Sequence, residues 1–367
     1  MSGVLSAKGI NASRMAAPFD SGLSGKIDLR RQSLAVPIFE KSEVTTAESK
    51  TANICALLGF GVASTKRAAS VISKLAKRLA HAGGGTLVLR GLYSIDNPAS
   101  ESHGLDILSL DNRPGLNAHH RTHEDNSTGV DDSKSFHDIE GLTDHLDIYA
   151  RKDIGTVIHC QVWTASAPDT GFDIGAICLP LQGEQLCGDG WSVREGEDGL
   201  AFAVIDGLGH GLPAAQASDE ALNIFARQSN LASSRTIEAM HEAMRATCGA
   251  AVLVGHVQPA RLVATCAGIG NIGGAVMSLR KPQGFVSLDG VVGYRYRKVQ
   301  AFDYEFAPDD IVVLHSDGLK TPVGLDAFPG LRSKSAGIIA GVLYKHCRRG
   351  SDDETVLVIK GNLTKNS

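Results

Sequence analysis

The stretch from Cys187 to Ser218, CGDGWSVREGEDGLAFAVIDGLGHGLPAAQAS, constrains this chain more than any other. It reads as a strand leading into a loop that holds Asp189, then a second strand over Ala201 to Ile205 that runs straight into Asp206 and Gly207. The second run is short, unbroken and bounded by glycine and acid, which favours a buried strand. Asp206 is therefore expected at the end of a core strand, with its backbone held rigidly. Gly207, Gly209 and Gly211 let the chain turn tightly beside that carboxylate. Pro213 is expected to begin a helix, where its missing N–H costs nothing. A carboxylate on a strand end, with bare carbonyls beside it, suits a hard, oxygen-loving cation.

The rest of the C-terminal half repeats the theme. After a short linker, Thr164 to Thr170, further strands are expected over 172–179, 250–257, 262–267, 274–279, 311–315 and 355–359. Helices are expected over about 214–228, 236–246 and 335–344, with Ile237, Met240 and Met244 as a core stripe. Many strands with paired helices suggest an antiparallel sandwich covered by helices. Four acids fall at comparable places: Asp189 in CGD, Asp206 in VIDG, Asp317 in LHSDG and Asp352 in SDDET. Any one Asp-Gly is usually a turn. Together they are harder to dismiss, because clustered carboxylates cannot all stay ionised without cations between them. Two divalent ions, roughly 3.5–4 Å apart, would resolve that repulsion, activate a water and clamp a phosphoryl group.

Composition narrows the alternatives. The 367 residues are 43% hydrophobic and 21% charged with net charge -4, an ordinary globular balance long enough for two cores. No lysine or arginine block suggests a nucleic-acid footprint, and no apolar run reaches membrane-spanning length. The seven cysteines, odd in number and without a CxxC pair, read as buried reduced thiols in a cytoplasmic protein. The first residues lack the apolar core of a signal peptide; residues 1–33, small and polar, are expected to be a flexible extension.

The motifs CGDGW, VIDGLGHG, AGIGNI, LHSDGL and GSDDETV, in this order over about Gly171 to Lys360, resemble those of the metal-dependent type-2C (PPM) serine/threonine phosphatases, closest to the RsbX and SpoIIE branch. The resemblance implies an α-β-β-α sandwich over 171–362 that binds two Mn²⁺ or Mg²⁺ ions. Carried over residue by residue, it implies that Asp206 bridges both ions and Gly207 lends a carbonyl. Asp189 would hold one ion, and Asp317 with Asp352 the other, so Asp189 and Asp206 become the catalytic pair. Asp353 stands where the wider family often has asparagine and is left outside the ligand set. His210 offers a general acid or phosphate contact, against which stands the plainer reading of a histidine hydrogen-bonded within its own loop; Asn271 is read as capping or tying a turn. The arginine that contacts phosphate in some relatives has no evident match.

The front half, 34–163, predicts helices beside a mixed sheet, an α+β domain. A strand is expected near Leu34 to Phe39 and helices over about 46–58 and 64–82. The second helix carries Ala68, Val71, Ile72, Leu75 and Leu79 at helical spacing. Strands follow over 86–90 and 105–110, a polar loop over 119–135, a helix around 139–146, and strands over 146–150 and 156–162. The segments VISKLAKRLAHAGGG and LSLDNRPGL, with Gly155-Thr156-Val157, resemble the histidine-kinase-type ATPase fold of RsbT-like serine kinases. Where that family carries a glutamate and a metal-holding asparagine, this chain has Lys74 and Arg78, and Arg113 interrupts the nucleotide turn at Asp111. Arginine cannot ligate Mg²⁺, and kinase chemistry needs such a ligand. A solvated helix face is an equally good account of Lys74 and Arg78. ATP is therefore not expected as a cofactor, and only Asp111 is left as a nucleotide contact.

These resemblances together imply a phosphatase acting on a phosphorylated STAS-domain protein in bacterial partner switching, with the front half docking or sensing that partner. A homodimer is compatible; nucleic acid and membrane are not expected partners. Rival readings are a bifunctional serine kinase and phosphatase, and a non-catalytic partner-binding regulator.

Overall fold

The computed structural model describes residues 28–93, 102–113, 132–228, 232–321 and 324–361. Most of the expected N-terminal extension and most of the 119–135 loop lie outside them. The front half runs β1 (Leu34–Ile38), α1 (Ser42–Leu57), α2 (Val62–His81), β2 (Gly85–Tyr93), β3 (His103–Asp111), α3 (Asp132–Glu140), β4 (His145–Arg151) and β5 (Gly155–Trp163). Its five strands lie in the order β1-β2-β3-β5-β4, and every neighbouring pair is antiparallel. The mixed sheet expected from the sequence is thus corrected: β5 inserts between β3 and β4, so those two run in the same direction without pairing. Alternation along the strands sends Leu87, Leu89, Ile107 and Ile158 to one face, against Val71, Ile72, Leu75 and Leu79 of α2. Each of those four α2 side chains is fully buried, contributing at most about 1.5–3 kcal/mol of hydrophobic stabilisation. Val88, Leu108, Leu110 and Val157 point to the other face.

The C-terminal half runs β6 (Phe172–Leu179), β7 (Asp189–Gly196), β8 (Gly199–Gly207), α4 (Gly211–Arg227), α5 (Ser233–Ala243), β9 (Ala250–Gln258), β10 (Val263–Ile269) and β11 (Gly273–Met277). It continues through β12 (Gln283–Gly284), β13 (Gly290–Val291), β14 (Arg295–Tyr296), β15 (Ala301–Glu305), β16 (Ile311–His315), α6 (Ala336–Cys347) and β17 (Glu354–Gly361). Two five-stranded antiparallel sheets form, β15-β10-β9-β8-β7 and β12-β11-β16-β17-β6. Phe202, Val204 and Leu253 of the first meet Val312, Leu357 and Ile359 of the second. Helices α4 and α5 cover the outer face of the first sheet through Ala217, Leu222, Phe225, Ile237 and Met240. Met240 and Met244 are fully buried, as the core-stripe reading requires.

Two local expectations are corrected. Asp189 opens β7 instead of following a strand, because Trp191-Ser192-Val193 alternates as an edge strand whose polar neighbours disguise it. Helix α4 begins at Gly211, so Pro213 is its third residue, still among the positions whose N–H has no intrahelical partner.

Helix α6 joins the two halves. From Ala336 to Tyr344 every residue is buried, and a helix apolar all round must be covered all round. One flank packs on Leu108, Leu110 and Val157 of the front sheet, the other on Ile177, Val356 and Val358 of the second sheet. Gly337 is required there: a Cβ would stand 2.4 Å from the His159 ring. The first turn of α6 is tied across the same seam. Ala336 N donates to Asp173 Oδ2 (2.7 Å) and Ser335 N to Asp147 Oδ2 (2.8 Å), placing carboxylates at a helix N-terminus where they are favoured.

A further correction concerns residues 28–33, expected to be part of a loose extension. They pack between the halves: Gly91 N donates to Leu29 O (2.9 Å), and Ser33 N to Cys178 O (2.7 Å). Leu29 is the segment's one core residue and its other ties are hydrogen bonds and ion pairs, so no apolar periodicity announces it.

Candidate active site

Strand pairing brings the first two acids together. Asp189 and Asp206 are register partners across the β7–β8 ladder, so their side chains leave the same face of the sheet at adjacent positions, an arrangement that is destabilising for like charges. Asp317 leaves the end of β16, and Asp352 and Asp353 immediately precede β17, the strand hydrogen-bonded to β16. Packing of the two sheets therefore delivers acids from four strand ends to one edge.

Close backbone contacts hold that edge. Gly207 N donates to Gly188 O (3.1 Å), and Ser316 N to Thr355 O (3.0 Å). A Cβ on Gly207 would lie 2.2 Å from Ala214 O, and one on Gly318 would lie 1.9 Å from Asp353 O. The glycine after Asp206 is thus where the first turn of α4 packs against bare backbone, and the glycine after Asp317 is where the Asp353 backbone does. Asp353 pins two segments at once, Oδ1 accepting from Leu181 N (2.7 Å) and Oδ2 from Gly188 N (2.9 Å). Its role is to clamp the loop before Asp189. Asp352 Oδ1 accepts from Asp353 N (2.8 Å).

The electrostatics are those of a site short of positive charge. Burial, then the charges of Asp317, Asp352 and Asp353, push Asp206 up to about 7. Asp189 is raised well above the carboxylate range by burial and then by Asp206, against a smaller opposing hydrogen bond from Ser316. Burial and Asp352 raise Asp317, with the Arg349 guanidinium working against them. Asp189 Oδ2 is buried without a hydrogen-bond partner. A buried carboxylate oxygen without a donor is costly unless a cation completes it. This donor set, oxygen only and rich in carboxylate, fits Mn²⁺ or Mg²⁺. Among the described residues, no three acids or histidines yet converge closely enough to hold an ion; unneutralised, the carboxylates sit within electrostatic reach of one another and repel.

Three further contacts were not foreseen. Asn271 Nδ2 donates to Asp317 Oδ2 (2.6 Å), so it orients an acid instead of only tying a turn. His210 Nδ1 lies 2.7 Å from Glu184 Oε1, a partner from a different loop. Arg349, whose backbone N donates to Gly318 O (2.9 Å), is a cation whose field reaches Asp317. A spacing argument cannot find these, since each pairs segments distant along the chain.

At the front half the expected nucleotide contact is closed. The Asp111 carboxylate has no exposed surface; Oδ2 accepts from Arg78 Nη1 (2.5 Å) and Oδ1 from Arg113 N (2.8 Å). Lys345 Nζ of α6 donates to Asp111 O (2.6 Å). Arg78, whose solvated-face reading is corrected here, is itself buried, while Lys74 pairs at the surface with Asp138 (3.0 Å). Among the described residues, Asp111 has no carboxylate surface left for a purine.

Residues 196–361 match the family model described as Stage II sporulation protein E (SpoIIE). No curated protein matches the chain. Similar solved structures include one described under the bacterial stressosome as a modular system adapted to control secondary messenger signaling (25% identity, TM-score 0.49, covering 52% of this chain and 100% of that one). RsbX in complex with magnesium is similar at 18% identity and TM-score 0.47, covering 59% and 100%. The PP2C phosphatase domain of SpoIIE from Bacillus subtilis, with a fragment of its regulatory domain, is similar at 16% identity and TM-score 0.41, covering 70% and 79%. The SpoIIE family match spans most of the sandwich and includes Asp206, Asp317 and Asp352 of its acidic edge, so the C-terminal part of this chain is similar to that family.

Proposed function

We propose that this chain hydrolyses phosphoserine or phosphothreonine on a STAS-domain protein of a partner-switching pathway, and that Asp189, Asp206, Asp317 and Asp352 hold two divalent ions. The observation that carries this reading is Asp206. It stands at a strand end facing Asp189 in register, and burial, followed by the charges of Asp317, Asp352 and Asp353, pushes its carboxyl up to about 7. When bound, two such ions supply neutralising charge, an activated water and a clamp for the phosphoryl group.

The protein's own residues do the arranging. Asp206 would bridge, with the Gly207 carbonyl beside it; Asp189 would serve one ion, and Asp317 with Asp352 the other. Asn271 holds Asp317 in orientation. Asp353 sets the height of the Asp189 loop through Gly188.

The two-part reading, with 34–163 as a degenerate RsbT-like partner-sensing domain and 171–362 as the phosphatase, is supported by the closure of Asp111 under Arg78. That pairing speaks against a working kinase. The test is phosphate release from a phosphorylated STAS protein by the full chain with Mn²⁺. Release abolished by EDTA and by Asp206→Asn supports the assignment; equal release in all three conditions overturns it.

A further inference from the structure

Segment 28–33 spans the seam between the front sheet and the wall of the acidic site. On the front side, Leu29 O accepts from Gly91 N of β2. On the other side, Arg31 O accepts from Trp191 Nε1 (2.9 Å), two residues beyond Asp189, while Arg90 of β2 stacks over the Trp191 ring at 5.0 Å. Arg31 Nη1 also pairs with Asp219 of α4 at 2.7 Å. Between these ties lies Gln32, only 7% exposed. Its Nε2 donates to Gln185 O (2.9 Å), and its Oε1 accepts from Cys187 N (3.0 Å). One amide thus reads a carbonyl and an N–H two residues apart, as a neighbouring strand would.

The loop so held runs directly into Gly188 and Asp189. The next residue is fixed by Asp353 Oδ2 on Gly188 N, so Gln32 and Asp353 hold consecutive residues of the loop. Asp189 needs that grip. Its carboxylate is buried beside Asp206 with one oxygen unpartnered, a conformation that a free loop would relax by turning the acid outward. Without Gln32, Cys187 N would lose its partner in a buried setting, and the loop would move to satisfy it.

We propose that Gln32 is a positioning residue for the metal site: the 28–33 strap presets Asp189 for cation binding and links its placement to the front sheet. The inference rests on the metal-dependent reading above. Outer partners of this kind typically set metal affinity by factors of about 10–100.

The test is calorimetric titration of Mn²⁺ into the full chain as wild type, Gln32→Ala and Gln32→Glu, with thermal unfolding of each in EDTA. The expected result is a Kd weakened on the order of 10–100-fold in Gln32→Ala, an EDTA midpoint lowered by the loss of the buried Cys187 N bond, and turnover restored at saturating Mn²⁺. Gln32→Glu keeps the acceptor for Cys187 N and loses the donor to Gln185 O, so its Kd should fall between. It also decides the matter should Gln32→Ala fail to fold. A Kd equal to wild type in the folded variants, or a lower EDTA midpoint with unchanged Kd, overturns the proposal and leaves the phosphatase reading standing. A wild-type protein that binds no Mn²⁺ overturns both.

Discussion

Asp189 and Asp206 face each other across one rung of the β7–β8 ladder. Antiparallel pairing forces the two carboxylates onto the same side of the sheet, where neither can escape the other by a change of rotamer alone. A chain that holds two acids this way carries a standing electrostatic cost, and a cation between them removes it.

Mn²⁺ should therefore stabilise the folded chain. At 100 times its Kd it is expected to raise the unfolding free energy by about 2.7 kcal/mol, visible as a higher melting temperature that EDTA reverses. Asp206→Asn should remove most of that increment. Because Asp206 holds its proton up to about 7 in the metal-free protein, cation binding expels protons, and affinity should weaken as pH falls from 8 to 6.

Asp353 accepts two backbone N–H bonds from separate segments. Asp353→Ala should cost on the order of 2–4 kcal/mol by leaving both donors short of a partner, measured by urea unfolding in EDTA. Asp353→Asn, which keeps one acceptor oxygen, should cost less. A neutral Asp353→Ala would mean that these loops are held by something else.

The Arg78–Asp111 pair is almost wholly buried. Removing one partner strands the other, so Arg78→Met is expected to destabilise by about 3–5 kcal/mol. The double change Arg78→Met with Asp111→Leu should recover much of that loss, because no unpaired charge remains. The same closure predicts no saturable binding of Mg·ATP to the wild-type chain by calorimetry.

The seam carries its own pH dependence. Burial opposes ionisation of Asp106, but Arg90 and His159 outweigh it and hold the carboxyl far below its usual range. Burial likewise works against the His159 cation, and Asp106 overcomes it, so His159 is raised. Asp106 therefore contributes stability above about pH 4 that is lost as pH falls. His159 contributes stability that is complete below about pH 6.5 and lost as pH rises through its raised value. His159→Gln should flatten the alkaline side of the stability profile relative to wild type and move the acid limb to higher pH, because Asp106 then loses one of the two partners that hold its carboxyl down.

Much of this was legible in advance, for physical reasons that differ by element. Helix α2 shows itself through Ala68, Val71, Ile72, Leu75 and Leu79, because a one-sided helix must repeat its apolar residues at helical spacing. Strand β8 shows itself because a strand buried on both faces has no polar break, and Asp206 was placed at its end for the same reason. Edge strand β7 was obscured, since its exposed side allows Ser192, Arg194 and Glu195 to mimic a loop.

The chain's own order of residues determined that Asp206 and Asp317 sit at strand ends with a glycine after each, and that the oxygen donors suit a hard cation. Only the tertiary structure decided that Asp189 is the register partner of Asp206, that Asn271 turns Asp317, that Arg78 seals Asp111, and that Gln32 grips the Asp189 loop. Local periodicity is written into neighbouring residues because each element must bury its own face. A hydrogen bond between segments more than 150 positions apart leaves no such mark, since either residue alone is an ordinary polar side chain until the fold brings its partner to it.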